Sequence, residues 1–105
     1  MDKLLKMIKE MNLPFAYSHF AEGEAPKVPY LCYLLPESDN FSADGRVYHK
    51  ISVVNIELYT DKKDIKSEEK VEAVLCKHGH FYNKSEIYIE SEKLYEVIYT
   101  FETEV

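Results

Sequence analysis

The segment 53–78 constrains the fold most, because it predicts a strand, a charged turn and a short helix one after another. Apolar and polar residues alternate in the strand, with Val54, Ile56 and Leu58 against Asn55, Glu57 and Tyr59. A period of two places all the apolar side chains on one side of a strand. The segment therefore predicts a sheet with one buried face.

The helix predicted over residues 67–78 has signals at both of its ends. Asp64 or Ser67 can cap the N-terminus, and Gly79 follows the helix as the expected C′ residue. One side of the helix carries Val71, Val74, Leu75 and His78. Since a helix of about twelve residues is not stable alone in water, this side is expected to lie on the sheet.

The strand that precedes this helix is predicted to span residues 46–60, and its apolar positions change parity. They are odd at Val47, Ile51 and Val53 and even at Val54, Ile56 and Leu58. A shift of one residue moves the buried side chains to the opposite face of a strand. We therefore expect a β-bulge or a strong bend at Val53–Val54.

The remaining elements follow from apolar spacing and from helix and strand breakers. We expect a helix near residues 2–11, a short strand at 15–20, a strand at 30–35 covered on both faces, a polar surface loop at 37–45, and a hairpin of strands at 80–90 and 93–102. A chain of 105 residues forms one domain, residues 1–105. The predicted fold class is α+β, with a mostly antiparallel sheet of about four to five strands and two helices packed on one face.

Charge and cysteine content limit the classes of function. Nineteen acidic and thirteen basic residues give a net charge of −6, which argues against general or sequence-specific nucleic-acid binding. Cys32 and Cys76 are predicted to be buried free thiols, since two cysteines make no disulfide framework and no CxxC spacing suggests zinc. We expect no signal peptide and no membrane span, because no apolar run has the required length.

Candidate chemistry is sparse in this sequence. His78 and His80 form the one close histidine pair, which with a carboxylate could bind a transition metal. Asp61 and Asp64 fit solvated turns and helix caps better than a calcium loop. Nucleotide and hydrolase motifs are absent from the sequence. The prediction is therefore a protein that is not an enzyme and that has no metal or cofactor.

Seven segments in order along the chain resemble a family of small proteins encoded by prophages of Gram-positive bacteria, in the head–tail morphogenesis region. The best match is Asn55-Ile-Glu-Leu-Tyr-Thr-Asp-Lys-Lys-Asp64, and the others are residues 13–17, 20–26, 29–33, 39–44, 70–75 and 89–97. The resemblance implies a tail-terminator or tail-completion protein that forms a ring, commonly hexameric, on the tail tube. It also implies tail-tube and head-connector proteins as partners, the virion as location with the host cytoplasm during assembly, and no catalytic residues.

A ring subunit has to bury surface against identical neighbours. We expect the strand bend and the aromatic last strand to supply that surface, through Val53, Val54, Tyr59, Tyr95, Tyr99 and Phe101. A minor capsid or head-closure protein remains an alternative, and so do an acidic module that mimics DNA and a small enzyme or ligand binder that uses His78 and His80. The sequence leaves open which face meets which partner.

Overall fold

A computed structural model describes residues 2–38, 41–43, 46–49 and 51–104, the two short middle ranges by their backbone alone. The elements are α1 (Asp2–Glu10), β1 (Phe15–Tyr17), β2 (Tyr30–Ser38), β3 (Phe41–Ala43), β4 (Arg46–His49), β5 (Ile51–Thr60), α2 (Ile65–Lys77), β6 (Asn83–Ile89) and β7 (Leu94–Glu104). Five strands form one sheet in the order β1-β2-β5-β7-β6, and β3 pairs with β4 in a separate ladder. Only β1 and β2 run parallel in the five-stranded sheet. The predicted α+β fold class is confirmed.

The core lies between one face of the sheet and both helices. In β5 the alternating apolar residues are fully buried, and they pair with the aromatic strand β7 as Val54 with Phe101, Ile56 with Tyr99 and Leu58 with Val97. The helices contribute Leu4, Met7, Ile8, Met11, Val71, Val74 and Leu75 to the same buried cluster. Two helices on one face therefore cover the side of the sheet that the alternation in β5 predicts.

Helix α1 presents two sides of opposite character. Its apolar side lies in the core, whereas Lys3, Lys6 and Lys9 are exposed on the other side. The helix ends where Met11 N–H donates to the Ile8 carbonyl at 3.0 Å. Pro14 then prevents continuation, since proline lacks the N–H that a helix interior requires.

Helix α2 begins and ends at the predicted signals. Asp64 is the N-cap, and its carboxylate accepts from the Ser67 backbone N–H at 3.1 Å and from the Ser67 hydroxyl at 2.8 Å. Gly79 has φ of +74°, a left-handed conformation that costs least for glycine. Because the last turn ends there, His78 lies at the surface, where its Nε2 is 2.8 Å from Glu10 Oε2 on α1.

The predicted strand 46–60 and the loop 37–45 need correction. The strand divides into β4 and β5, which belong to different sheets, and parts of the loop are strand, in β2 and β3. Residues 39, 40, 44, 45 and 50 lie outside the described residues.

The bulge expected at Val53–Val54 is wrong for β5, whose pairing with β7 is continuous from Ile51 to Thr60. The register shift falls instead on β2, between Leu34 and Glu37. Pro36 lies within that shift and has no N–H to donate to a ladder, so the irregularity is tolerated there.

Candidate interaction face

The second face of the five-stranded sheet carries neither of the two described helices, and we call it the open face. Its side chains follow from the strand register, because the neighbours of a core residue along a strand point the opposite way. They are Ala16 on β1, Tyr30, Cys32, Leu34 and Glu37 on β2, Ile51, Val53, Asn55, Glu57 and Tyr59 on β5, Leu94, Glu96, Ile98, Thr100, Glu102 and Glu104 on β7, and Asn83, Ser85, Ile87 and Ile89 on β6. The parity change in the sequence reflects this second, partly apolar face.

Apolar side chains are spread over the open face. Ile98 lies on β7 opposite Glu57, between Glu96 and Thr100 along the strand, and is half-buried. On the outer strand β6, Ile87 is 54% exposed. Exposed apolar surface that is contiguous on a sheet marks a contact site more often than an isolated exposed residue does.

A pair of glutamates and a tyrosine occupy the middle of the open face. The Tyr59 hydroxyl lies 2.9 Å from Glu57 Oε1 and 2.8 Å from Glu96 Oε2. One hydroxyl donates one hydrogen, so both contacts are hydrogen bonds only when one carboxyl group carries a proton. Burial raises the pKa of Glu57; the hydrogen bond from Tyr59 opposes this rise, and the charge of Glu96 adds to it. Burial, followed by the two carboxylates, also raises the pKa of Tyr59.

Neighbouring side chains hold the polar groups of the open face in place. The Tyr30 ring on β2 stacks on the Tyr59 ring, with centroids 5.3 Å apart. Further along β5, Thr100 Oγ1 donates to Asn55 Oδ1 at 2.9 Å. The polar groups of the open face are therefore held by neighbours on three strands.

The two sides of the molecule differ in charge. Within the described ranges the open face holds the glutamates at positions 37, 57, 96, 102 and 104 and no lysine or arginine. The helices of the opposite side carry exposed charges of both signs, namely Lys3, Lys6, Lys9, Lys66, Lys70 and Lys77 together with Asp2, Glu10 and Glu69. The open face is therefore acidic, whereas the helix side carries charges of both signs and includes a row of lysines on α1.

The six residues predicted for an interface separate into three locations. Val53 and Tyr59 lie on the open face, and Tyr95 lies on the helix side of β7, packed against Tyr88 with ring centroids 4.8 Å apart. The side chains of Val54, Tyr99 and Phe101 belong to the core, with exposed fractions of 0%, 0% and 3%. These three are unable to meet a partner, because the chain's own helices cover them.

In the part of the chain whose side chains are described, neither the histidines nor the cysteines form a reactive cluster. The His80 ring packs on Phe101 at 4.7 Å, and burial lowers its pKa. Among the described residues no group of three potential metal ligands exists. Burial, then Glu57 and Glu96, raises the pKa of Cys32 to about 11, so this thiol stays protonated. Cys76 is exposed on α2, which corrects its predicted burial.

A cleft of about 490 Å³ adjoins the open face at the end of the sheet near the start of β6. Val53 and Thr100 line it from the sheet, and His80 and Phe81 line it from the segment that follows α2. Phe81 is 94% exposed, so this end of the molecule presents a bare aromatic ring.

These features define a small α+β domain with one helix-covered and one open sheet face. In comparisons with known proteins, neither a protein-family model nor a curated sequence matches the chain. No helix in the described part of the chain is long and apolar enough to cross a membrane.

Proposed function

We propose that this protein is a structural subunit of virion assembly, a tail-terminator or head–tail joining protein that forms a ring at the head-proximal end of a long phage tail. Its partners are further copies of itself, the tail-tube protein and head-connector proteins, and it carries out no catalysis. The observation that supports the proposal is the open face. Its mixture of apolar side chains and fixed polar groups suits a permanent contact between proteins.

The open face is somewhat smaller than a typical stable interface. Five strands spaced about 4.8 Å apart and about eight residues long give a face on the order of 600 Å², and Phe20, whose ring packs on Tyr30 at 5.2 Å, covers part of it. Stable interfaces bury about 800 Å² on each partner, so the open face with the adjoining Phe81 cleft approaches the required area. A minor capsid or head-closure protein would use the same face with another partner.

Co-assembly with the tail-tube protein of the same prophage region tests this function. We expect the wild-type protein to bind the ends of tail tubes, as seen by electron microscopy and co-sedimentation. Ile98→Asp, which places a charge in the middle of the open face, should abolish this binding. Ser91→Asp adds the same charge in the exposed turn between β6 and β7 and should bind like the wild type.

Lack of binding between the wild-type protein and tail tubes would refute the tail-terminator assignment. Binding to a head-connector protein instead would assign the chain to head closure.

The glutamates of the open face favour a second candidate, a module that mimics DNA. Such a protein acts as a monomer and competes with DNA for a basic site. The interspersed Val53, Leu94 and Ile98 argue for packing contacts instead, since a phosphate backbone offers no apolar groups at that spacing. Displacement of DNA from a basic protein by the wild type, lost in Glu57→Gln/Glu96→Gln, would favour this second candidate.

A further inference from the structure

We infer that the open face of one copy docks on the lysine-bearing side of α1 in a second copy of this chain, so that copies associate head to tail. This inference rests on the proposed function, because it names the two surfaces through which neighbours in the assembly meet.

Charge and spacing make the two surfaces complementary. In the described part of the chain Lys3, Lys6 and Lys9 are exposed and take part in no ion pair. Residues three apart on a helix have Cβ atoms about 5–6 Å apart. Glu57 and Glu96 are diagonal neighbours on adjacent antiparallel strands, a separation of about 7–8 Å that their convergence on the Tyr59 hydroxyl reduces. Two lysines one turn apart can therefore each reach one carboxylate.

A lysine ammonium group from a second copy would stabilise the carboxylates of the open face. Glu57 and Glu96 share one tyrosine hydroxyl and form no ion pair with a described lysine, so a second ionised carboxylate is unfavourable in the isolated subunit. An ammonium group removes that repulsion. The long aliphatic stem of a lysine also covers apolar surface such as Ile98 while its charged end stays near the carboxylates.

The charge distribution disfavours the symmetric alternatives. Face-to-face packing of two copies would bring two pairs of glutamates together, and packing of α1 on α1 would oppose two rows of lysines. Like charges placed opposite each other cost several kcal/mol in an interface. The remaining arrangement is heterologous, and such contacts produce a closed ring when the rotation between neighbours closes.

Sedimentation velocity over a concentration series, up to about 1 mM so that weak contacts are detected, tests the inference with two variants. Ile98→Asp disrupts the open face, and Lys6→Glu/Lys9→Glu disrupts the helix side. We expect the wild type to associate and each variant alone to remain monomeric. An equimolar mixture of the two should form 1:1 dimers and nothing larger, because each variant retains the surface that the other lacks. The control Lys62→Glu/Lys66→Glu has the same charge change away from α1 and should associate like the wild type.

Three results would overturn the inference. They are association of Lys6→Glu/Lys9→Glu at wild-type strength, loss of association in the control, and a wild type that stays monomeric throughout. Circular dichroism confirms that each variant is folded before its mass is interpreted. None of these results decides the proposed function, which depends on binding to tail tubes in the separate assay.

Discussion

Tyr59 lies between two glutamates, and its single hydroxyl hydrogen can be donated to only one of the two carboxylates. The folded state raises the pKa of Glu57 above its ordinary value of 4.5, so it holds a proton more tightly than the unfolded chain does. The stability gained from this proton is present below pH 4.5 and is lost as the pH rises through the folded pKa. At neutral pH the ionised carboxylate therefore opposes folding.

The change Glu57→Gln should stabilise the protein at pH 7. The amide still accepts the hydrogen bond of Tyr59, and the like-charge pair on neighbouring strands disappears, which is worth about 0.2–1 kcal/mol. Urea unfolding at pH 7 and at pH 4 measures the effect, and the difference from the wild type should vanish at the lower pH. The exposed loop variant Glu24→Gln is the control and should show no gain; equal stability of Glu57→Gln and the wild type at pH 7 would contradict the argument.

At the scale of elements, a cluster of charged groups joins α2 to β6. Glu68 is 3% exposed and lies 2.8 Å from Lys63 Nζ and 2.7 Å from Lys84 Nζ. Lys84 also contacts Glu72, which accepts a hydrogen bond from the Tyr99 hydroxyl at 2.8 Å. Burial alone would raise the pKa of Glu68, but the hydrogen bonds from the two lysines hold it below its ordinary value.

The change Lys84→Met should destabilise the fold by about 1–3 kcal/mol. Removal of one partner from a buried ion pair costs about 3–5 kcal/mol, and the 36% exposure of the Lys84 side chain reduces that cost. Because ionised Glu68 stabilises the fold above pH 4.5 and loses this effect as the pH falls through its lowered pKa, the difference from the wild type should shrink in acid. Thermal unfolding at pH 7 and pH 3 measures the loss of stability and its decrease in acid. The control Lys66→Met, at an exposed α2 position, should behave like the wild type.

The N-cap of α2 contributes to the free energy of unfolding independently of this charged cluster. Asp64→Ala removes the acceptor for the Ser67 N–H and hydroxyl and should lower the free energy of unfolding by about 1 kcal/mol, within the range of about 0.5–2 known for N-caps. Chemical denaturation measures the loss. Asp61→Ala, an exposed residue in the preceding turn, is the matched control. An equal loss in both variants would assign the effect to turn charge and not to capping.

At the scale of the whole molecule, local patterns predict the elements and distant pairing decides the rest. The alternation in β5 and the caps of α2 depend on neighbours in sequence, and both are confirmed. The bulge was predicted in the wrong strand because the apolar residues at Val53 and Val54 lie on opposite faces that both contain apolar side chains. The register shift lies on β2 around Pro36, and the sequence of β5 gives no sign of it.

The sequence predicts only part of the polar group at the centre of the open face. The sequence places Glu57 and Tyr59 on one side of β5, and Glu96 alternates with apolar residues on a separate strand. They meet only because Tyr59 pairs with Glu96 in the β5–β7 ladder. For the same reason Tyr99 and Phe101, which the sequence offers as interface aromatics, lie under the helices. Strand order, which the sequence does not state, decides which aromatic residues are core and which are surface.

The charge asymmetry of the whole molecule predicts how its self-association responds to salt. Contacts between the glutamates of the open face and the lysines of α1 weaken as the Debye length falls from about 10 Å at 0.1 M to about 3 Å at 1 M salt. The monomer fraction should therefore rise with NaCl in sedimentation velocity runs at constant protein concentration. Glu57→Gln/Glu96→Gln removes two of the open-face charges and should make the remaining association less sensitive to salt than that of the wild type. Association that strengthens with NaCl in the wild type would instead indicate contacts dominated by apolar surface such as Ile98 and Ile87, and would contradict docking by charge.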